Sequence, residues 1–411
     1  MDLQLFNAQG QLLGSSAGMT DSERVDVTAA AGERFHLHAY AYAGGGNEQV
    51  DFRVTNLVSR SGNAVHVLGT AGDDVFTFAA GTTDRVTING VAYRFQSAVV
   101  TSVTFDGRAG SDTALLIGSS GSDLAVLRPG SADLSGTGYH VAASNVETIT
   151  VQGGGGANRV MFYDSAGDDT FVATVGYGGM FGQAFDNRAI GFQTVEAYAT
   201  AGGRDTAKLY DSAGDDMYVA TPRHAAVFGQ GFHNQTRYFE VVHAFATAGG
   251  FDRAKLYDSA GDDTFVANAI QGALFGQGFF NRGKFFEQVH AFATAGGDDV
   301  ARLFDSPGDD VFVRTSVNGA LFGDGFYNRA KFFEQVHADG GAGGNDRAQL
   351  FGSAGDDKLQ ASANWASLLD ANSSSWLYGF EFVRADAGNG GTNKIELAAV
   401  DYVLQLNGNW S

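Results

Sequence analysis

The sequence contains no cysteine, which excludes disulfides, thiol catalysis, iron–sulfur clusters and cysteine-ligated zinc. Proline is nearly as scarce, at 3 of 411 residues, so the chain is neither collagen-like nor a proline-rich linker. No apolar run approaches the ~18 residues needed to cross a bilayer, and membrane insertion is not expected. The opening residues, MDLQLFNAQGQ, lack the basic and apolar regions of a signal peptide. If the protein is exported, its signal is expected upstream of residue 1 or already removed. Basic residues are few: 26 Lys and Arg against 46 Asp and Glu leave a formal net charge of −20. Such a surface repels a phosphate backbone, so nucleic acid is not expected as a partner, while cations are attracted. The same charge keeps a sheet-rich protein soluble.

What the chain has in excess is glycine, at 58 residues, and phenylalanine, at 33. Gly-rich turns alternating with Phe- and Val-bearing segments are what strands joined by tight corners require. Self-similarity dominates. AGGFDRAKLYDSAGDDTFVA at 248–267 recurs in altered form at 201–220 and 295–314. The Asp after the Gly pair falls at Asp205, Asp252, Asp299 and Asp346, each 47 residues from the last, and the phase extends to Asn158 and Asn393. The second half of the unit repeats in step, with Asn187, Asn234, Asn281 and Asn328 in one column and Phe181, Phe228, Phe275 and Phe322 in another. About seven units result.

Alternation and turn residues predict strands at 254–257, 264–267, 273–275 and 286–292. No 3.6-residue apolar stripe persists for three turns, and each Gly costs a helix interior about 1 kcal/mol relative to Ala. The fold class expected is all-β: a right-handed parallel β-helix whose 47-residue repeats each make two coils, so that identical residues stack in columns. The alternative is a seven-bladed β-propeller with one blade per unit. Three regions follow: a β-domain over 1–58, a β-solenoid over 59–397 and a C-terminal cap over 398–411.

In residues 1–58, the run Leu3 to Phe6, the turn Ala8-Gln9-Gly10, Ala29-Ala30-Ala31-Gly32, the strand His36 to Ala43 and Val50 to Val54 resemble the later part of a bacterial pre-peptidase C-terminal domain. That resemblance implies a small β-sandwich and export, hence a secreted or cell-surface location; because the family's opening strands are missing, it also implies that this chain is the C-terminal part of a larger protein. Within the repeats, adjacent carboxylates recur in Gly-rich turns: Asp168 and Asp169, Asp215 and Asp216, Asp262 and Asp263, Asp309 and Asp310. Paired carboxylates beside backbone carbonyls are hard oxygen ligands that suit Ca²⁺; equally, Asp in such turns can hydrogen-bond its own backbone as a turn former. The alternation of GG-x-D and GDD-x-F turns resembles the calcium-binding repeats of RTX proteins, although Asp252 to Asp263 spans 11 residues rather than a nonapeptide. The array as a whole resembles repeat regions of large bacterial secreted and surface proteins.

His243, His290 and His337 share a repeat column, as do Glu240, Glu287 and Glu334; a residue recurring in every unit is read as structural rather than catalytic. No nucleophile elbow, P-loop, dinucleotide fingerprint or H-E-x-x-H motif is present, and no catalytic residue is expected. Trp365, Trp376 and Trp410 are expected to pack near the C-terminus, with a sugar-stacking patch as the other reading. The function expected is a non-enzymatic extracellular structural or adhesive solenoid, filament-forming by self-association and calcium-stabilised. The alternative is a polysaccharide-binding or polysaccharide-degrading β-helix.

Overall fold

A computed structural model describes residues 2–17, 23–27, 29, 32–40 and 51–411. They form an all-β chain that divides into two compact units, one of Met1–Asn158 with Ala184–Gly191 and one of Arg159–Gln183 with Phe192–Ser411. Stacked parallel coils make each a β-solenoid, and the propeller alternative is not what forms.

The first unit opens with a three-stranded antiparallel sheet, Asp2–Asn7 between Leu12–Ser16 and Phe35–Tyr40. The predicted strand over 50–54 does not form at 51–54, while Ala30, Ala31 and residues 41–50 lie outside the described residues. The stack begins at Val58–Ser61, and Ala64–Leu68, Ser102–Asp106 and Tyr139–Ser144 pair in parallel register as successive rungs. In the second unit the segment expected as a cap, 398–411, contributes Val403–Asn407, a further parallel rung on Phe382–Asp386.

A central repeat of the second unit illustrates the local rules. Its five strands are Arg253–Tyr257, Thr264–Ala267, Gln271–Gly276, Phe279–Lys284 and Gln288–Phe292. In four of them alternate residues point inward: Ala254, Leu256, Phe265, Phe279, Val289 and Ala291 are buried and the residues next to them are not, while in Gln271–Gly276 the run Gly272, Ala273 and Leu274 is buried throughout. Each large buried side chain contributes roughly 1.5–3 kcal/mol. The middle three strands form an antiparallel meander in one sheet, here called sheet I, while the first and last lie in the facing sheet II. Tyr218 and Phe286 meet between the sheets with ring centroids 5.8 Å apart. A Cβ on Gly272 would come within 2.6 Å of Val289 Cγ1 across this gap, which is why a glycine stands in that strand.

The next repeat exchanges the sheets. Its meander, Val311–Thr315, Asn318–Gly323 and Phe326–Lys331, lies in sheet II, and the preceding one, Met217–Thr221, His224–Gly229 and Phe232–Arg237, does too. Five strands per repeat, an odd number laid alternately on two sheets apart from the meander, force this half-turn. It corrects the expected two coils per repeat with identical residues in one column. Phe228 and Phe322, 94 residues apart, share sheet II, whereas Phe275 sits in sheet I; Asn234, Asn281 and Asn328 divide in the same way. His243 and His337 share sheet I five strand steps apart, about 24 Å, with His290 in the opposite sheet.

The inward side chain of Asn281 is 2% exposed, and its Nδ2 donates to the carbonyl of Thr221, 60 residues earlier, at 2.9 Å. Asn234 and Asn328 do the same for Thr174 and Asn268. These amides fasten a meander to the hairpin of the preceding repeat. Asn281→Ala strands a buried carbonyl, and a loss of about 1–3 kcal/mol is expected in equilibrium denaturation of the chain. A change below ~0.5 kcal/mol would show that the amide does not fasten the repeats.

Candidate functional site

The residues with chemistry gather at the corners, where the chain leaves one sheet for the other. Asp-Ser-Ala-Gly-Asp-Asp at 258–263 makes one corner and Thr-Ala-Gly-Gly-Asp-Asp at 294–299 makes the corner of the next coil. Gly297 takes φ 113°, and a Cβ there would lie 2.4 Å from the Gly261 carbonyl, so the two corners touch backbone to backbone. This contact leaves main-chain N–H groups pointing between coils with no ladder partner. Carboxylates accept them.

Five acids per repeat divide this task. Asp258 accepts the N–H of Thr294 and of Ala295, both at 2.7 Å. Exposed Asp262 accepts the N–H of Asp298 at 2.9 Å. Buried Asp263 accepts the N–H of its own Ser259 at 2.6 Å and donates its N–H to Asp299 at 2.8 Å. Asp299 in turn donates its N–H to Glu334 at 2.9 Å. The relay recurs as Asp169 to Asp205 to Glu240, Asp216 to Asp252 to Glu287 and Asp310 to Asp346 to Glu381. Each link spans 35 or 36 residues, one coil.

The eight residues singled out by the sequence therefore have two roles. Asp168, Asp215, Asp262 and Asp309 are exposed and each accept one N–H from the next coil. Asp169, Asp216, Asp263 and Asp310 are buried in the corner. Only members of this second group approach other acids closely enough to share an ion. Asp164, Asp169 and Asp205 form one buried trio and Asp305, Asp310 and Asp346 another, with carboxylate oxygens all within 4.8 Å of one another. Asp164 and Asp305 were not among the candidates: the YDS and FDS motifs hold a single Asp, and only the fold brings it under the next corner. The trios also leave oxygens with no hydrogen-bond partner within the protein, Asp164 Oδ1 in the first and Asp310 Oδ1 and Asp346 Oδ2 in the second.

Crowding of carboxylates out of water costs the ionised form. Burial, with the neighbouring acids Asp164, Glu240 and Asp169, pushes Asp205 up to about 6. Asp252, Asp299 and Asp346 are pushed up to about 6 for the same reasons. The histidine column behaves oppositely: burial, helped by Arg282 and Lys208, pushes His243 down to about 4, and burial with Arg329 and Lys255 does the same for His290. The three tryptophans are half-buried; Trp365 and Trp376 pack with ring centroids 5.7 Å apart, and Trp410 Nε1 donates to Asn407.

Because the four aspartates hold a proton more tightly folded than unfolded, their contribution to stability is full below pH ~3.8 and is lost as pH rises through about 6. Metal-stripped protein should therefore lose melting temperature between pH 4 and 7. Asparagine is already used at the equivalent positions Asn158 and Asn393, where it accepts the N–H of Asp123 and of Asp357. Asp252→Asn keeps the acceptor and removes the titration. It should raise the melting temperature at pH 7.5 by roughly 2–4 °C and change little at pH 4; a variant destabilised at both pH values would contradict this account.

No protein-family model matches this chain, and no curated protein matches it.

Proposed function

We propose that this chain is a non-enzymatic structural and adhesive β-solenoid of a secreted or cell-surface protein, its corners stabilised by calcium. The observation that carries the reading is the commitment of the recurring acids to main-chain N–H groups. Asp258, Asp262, Asp263, Asp299 and Glu334 each hold a coil together. A catalytic carboxylate needs a free oxygen beside a substrate and an inequivalent partner. The repeats offer equivalent acids at equivalent corners instead. A charged pair that breaks the repeat, Arg314 with Asp370, has side chains 1% and 3% exposed and is sealed from any substrate. A chain without cysteine, acidic in total and built of near-identical units, suits an exposed scaffold, and the likeness of residues 1–58 to an export-associated domain supports the location.

Calcium fits the two trios on their own chemistry. All donors are hard oxygens, several of them lack a partner, and three crowded carboxylates need a counter-charge at neutral pH. Asp164, Asp169 and Asp205, and Asp305, Asp310 and Asp346, would hold the ion, and its charge would relieve the repulsion that raises Asp205 and Asp346.

A ligand at a hundredfold excess over its Kd stabilises the folded state by about 2.7 kcal/mol. Melting temperature should rise in millimolar Ca²⁺, less in Mg²⁺, which gives up water reluctantly. Asp169→Asn with Asp310→Asn should abolish most of the response, while Asp168→Asn with Asp309→Asn should leave it intact. Identical melting curves with Ca²⁺ and with chelator would remove the metal from this reading. His290→Ala should lower stability modestly; loss of a measurable turnover on any polysaccharide in that variant would overturn the non-enzymatic assignment.

A further inference from the structure

The net charge of −20 conceals a separation of charge within the second unit. Most acids lie at the corners, with Glu196 and Glu396 as exceptions on strands beside Arg159 and Lys358, and the outward sheet faces of the central repeats carry cations. On sheet I the outward residues at the centre of successive strands run Lys208, His243, Arg282, Ala273, Val266 and Arg302 in register. The six strands involved present no Asp or Glu on that face. Sheet II repeats the pattern half a turn away, with Lys255, His290 and Arg329 aligned across three strands and Arg253 and Lys331 beside them.

None of these cations is paired with an acid among the described residues. Three of them rest on rings or amides instead: Arg329 lies 5.8 Å from the centre of the Phe292 ring, Lys331 4.5 Å from that of Phe332, and Arg253 Nε donates to Gln288. Nε of Arg282 and of Arg329 and Nδ1 of His243 and of His290 have no partner within the protein. The depressed histidines report the same local positive field, since Arg282 and Lys208, or Arg329 and Lys255, add to burial in keeping them neutral. Cations left without counter-ions on an acidic protein, in two equivalent places, call for an anionic ligand.

We propose that the two outer sheet faces bind an acidic polysaccharide laid along the stack, its carboxylate or sulfate groups met by Lys208, Arg282 and Arg302 on one face and by Lys255 and Arg329 on the other. Charge spacing selects this class. Lys208 to Arg302 spans five strand steps, about 24 Å, so the row offers roughly one cation per 8 Å. Duplex nucleic acid carries one charge per ~1.7 Å and would meet the acidic corners on either side of the strip. A second copy of the chain brings a net charge of −20 toward its twin and is repelled at long range. A thin polymer with sparse charge avoids both penalties, and its uncharged stretches can lie over the meander between Arg282 and Arg302, where Val266 is half-buried. The proposal rests on the adhesive reading above and names what the solenoid adheres to.

Retention of the whole chain on immobilised polygalacturonate and dextran sulfate tests it, with neutral dextran and duplex DNA as comparisons and sedimentation of the protein alone alongside. Retention on an acidic polysaccharide is expected at ~50 mM salt, weakening as screening shortens the Debye length, with none on dextran. The variant K208Q/K255Q/R282Q/R329Q should bind at least about tenfold more weakly with an unchanged melting curve. If its arginine changes disturb folding, K208Q/K255Q alone should still lower affinity measurably. No retention on either acidic polymer, equal retention of variant and parent, tighter binding to DNA, or retention explained wholly by self-association would each overturn the proposal. New reducing ends released from polygalacturonate would instead overturn the non-enzymatic reading while leaving the binding strip in place.

Discussion

Coil is tied to coil by a main-chain N–H that donates into a side-chain oxygen one coil away, a carboxylate in the central repeats and an amide at Asn158 and Asn393. The corners must turn sharply, and a sharp turn between two sheets frees N–H groups from ladder bonding. Left unpaired and buried, each would cost about 1–3 kcal/mol. Asp263, Asp299 and Glu334 remove that cost in sequence, and the same three positions remove it in each neighbouring repeat. Once the corners carry this acid, much else follows: glycine pairs to let backbones touch, a strongly negative total charge, and carboxylates such as Asp205 and Asp299 that burial, and then their acidic neighbours, push up to about 6. In the central repeats the cations Lys208, Lys255, Arg282 and Arg329 are then left to the flat faces, where no corner acid pairs with them.

The repeat, the β class and the stacked-coil architecture were legible because periodic Gly and Asp mark corners and alternating apolar residues mark strands. Four of the five strands in a unit could be located from that pattern, although the first begins one residue early and the last two later. The fifth, Phe279–Lys284, was hidden because its inward residues are Phe279, Asn281 and Gly283. An inward asparagine and glycine break the apolar alternation, and only the carbonyl of Thr221 explains the asparagine. The half-turn between repeats was hidden for a different reason. It depends on the parity of strands per unit, so one uncounted strand changes which residues stack.

The corner acids were half legible. Adjacent Asp pairs announce an acidic turn, but the sequence does not tell which member faces inward. The outer one, such as Asp262, serves a single N–H in solvent, while the inner one, Asp263, joins the buried relay. The third member of each trio comes from a lone Asp in the strand-ending motif, and nothing local marks Asp164 or Asp305 as different from any turn aspartate. Composition misleads about the faces. A total of −20 is a sum over corners and sheets, and a ligand meets one surface at a time.

The exchange of sheets from one repeat to the next has a bearing on how such arrays can grow. Duplicating one unit rotates everything that follows it in the same stack by half a turn, so a feature formerly on one sheet emerges on the other. Duplicating two units restores the original sheet and only lengthens the stack by about 24 Å, five strand spacings. Gain or loss of repeats is then a choice between odd and even numbers: even changes adjust reach, and odd changes reverse which way the downstream surface looks.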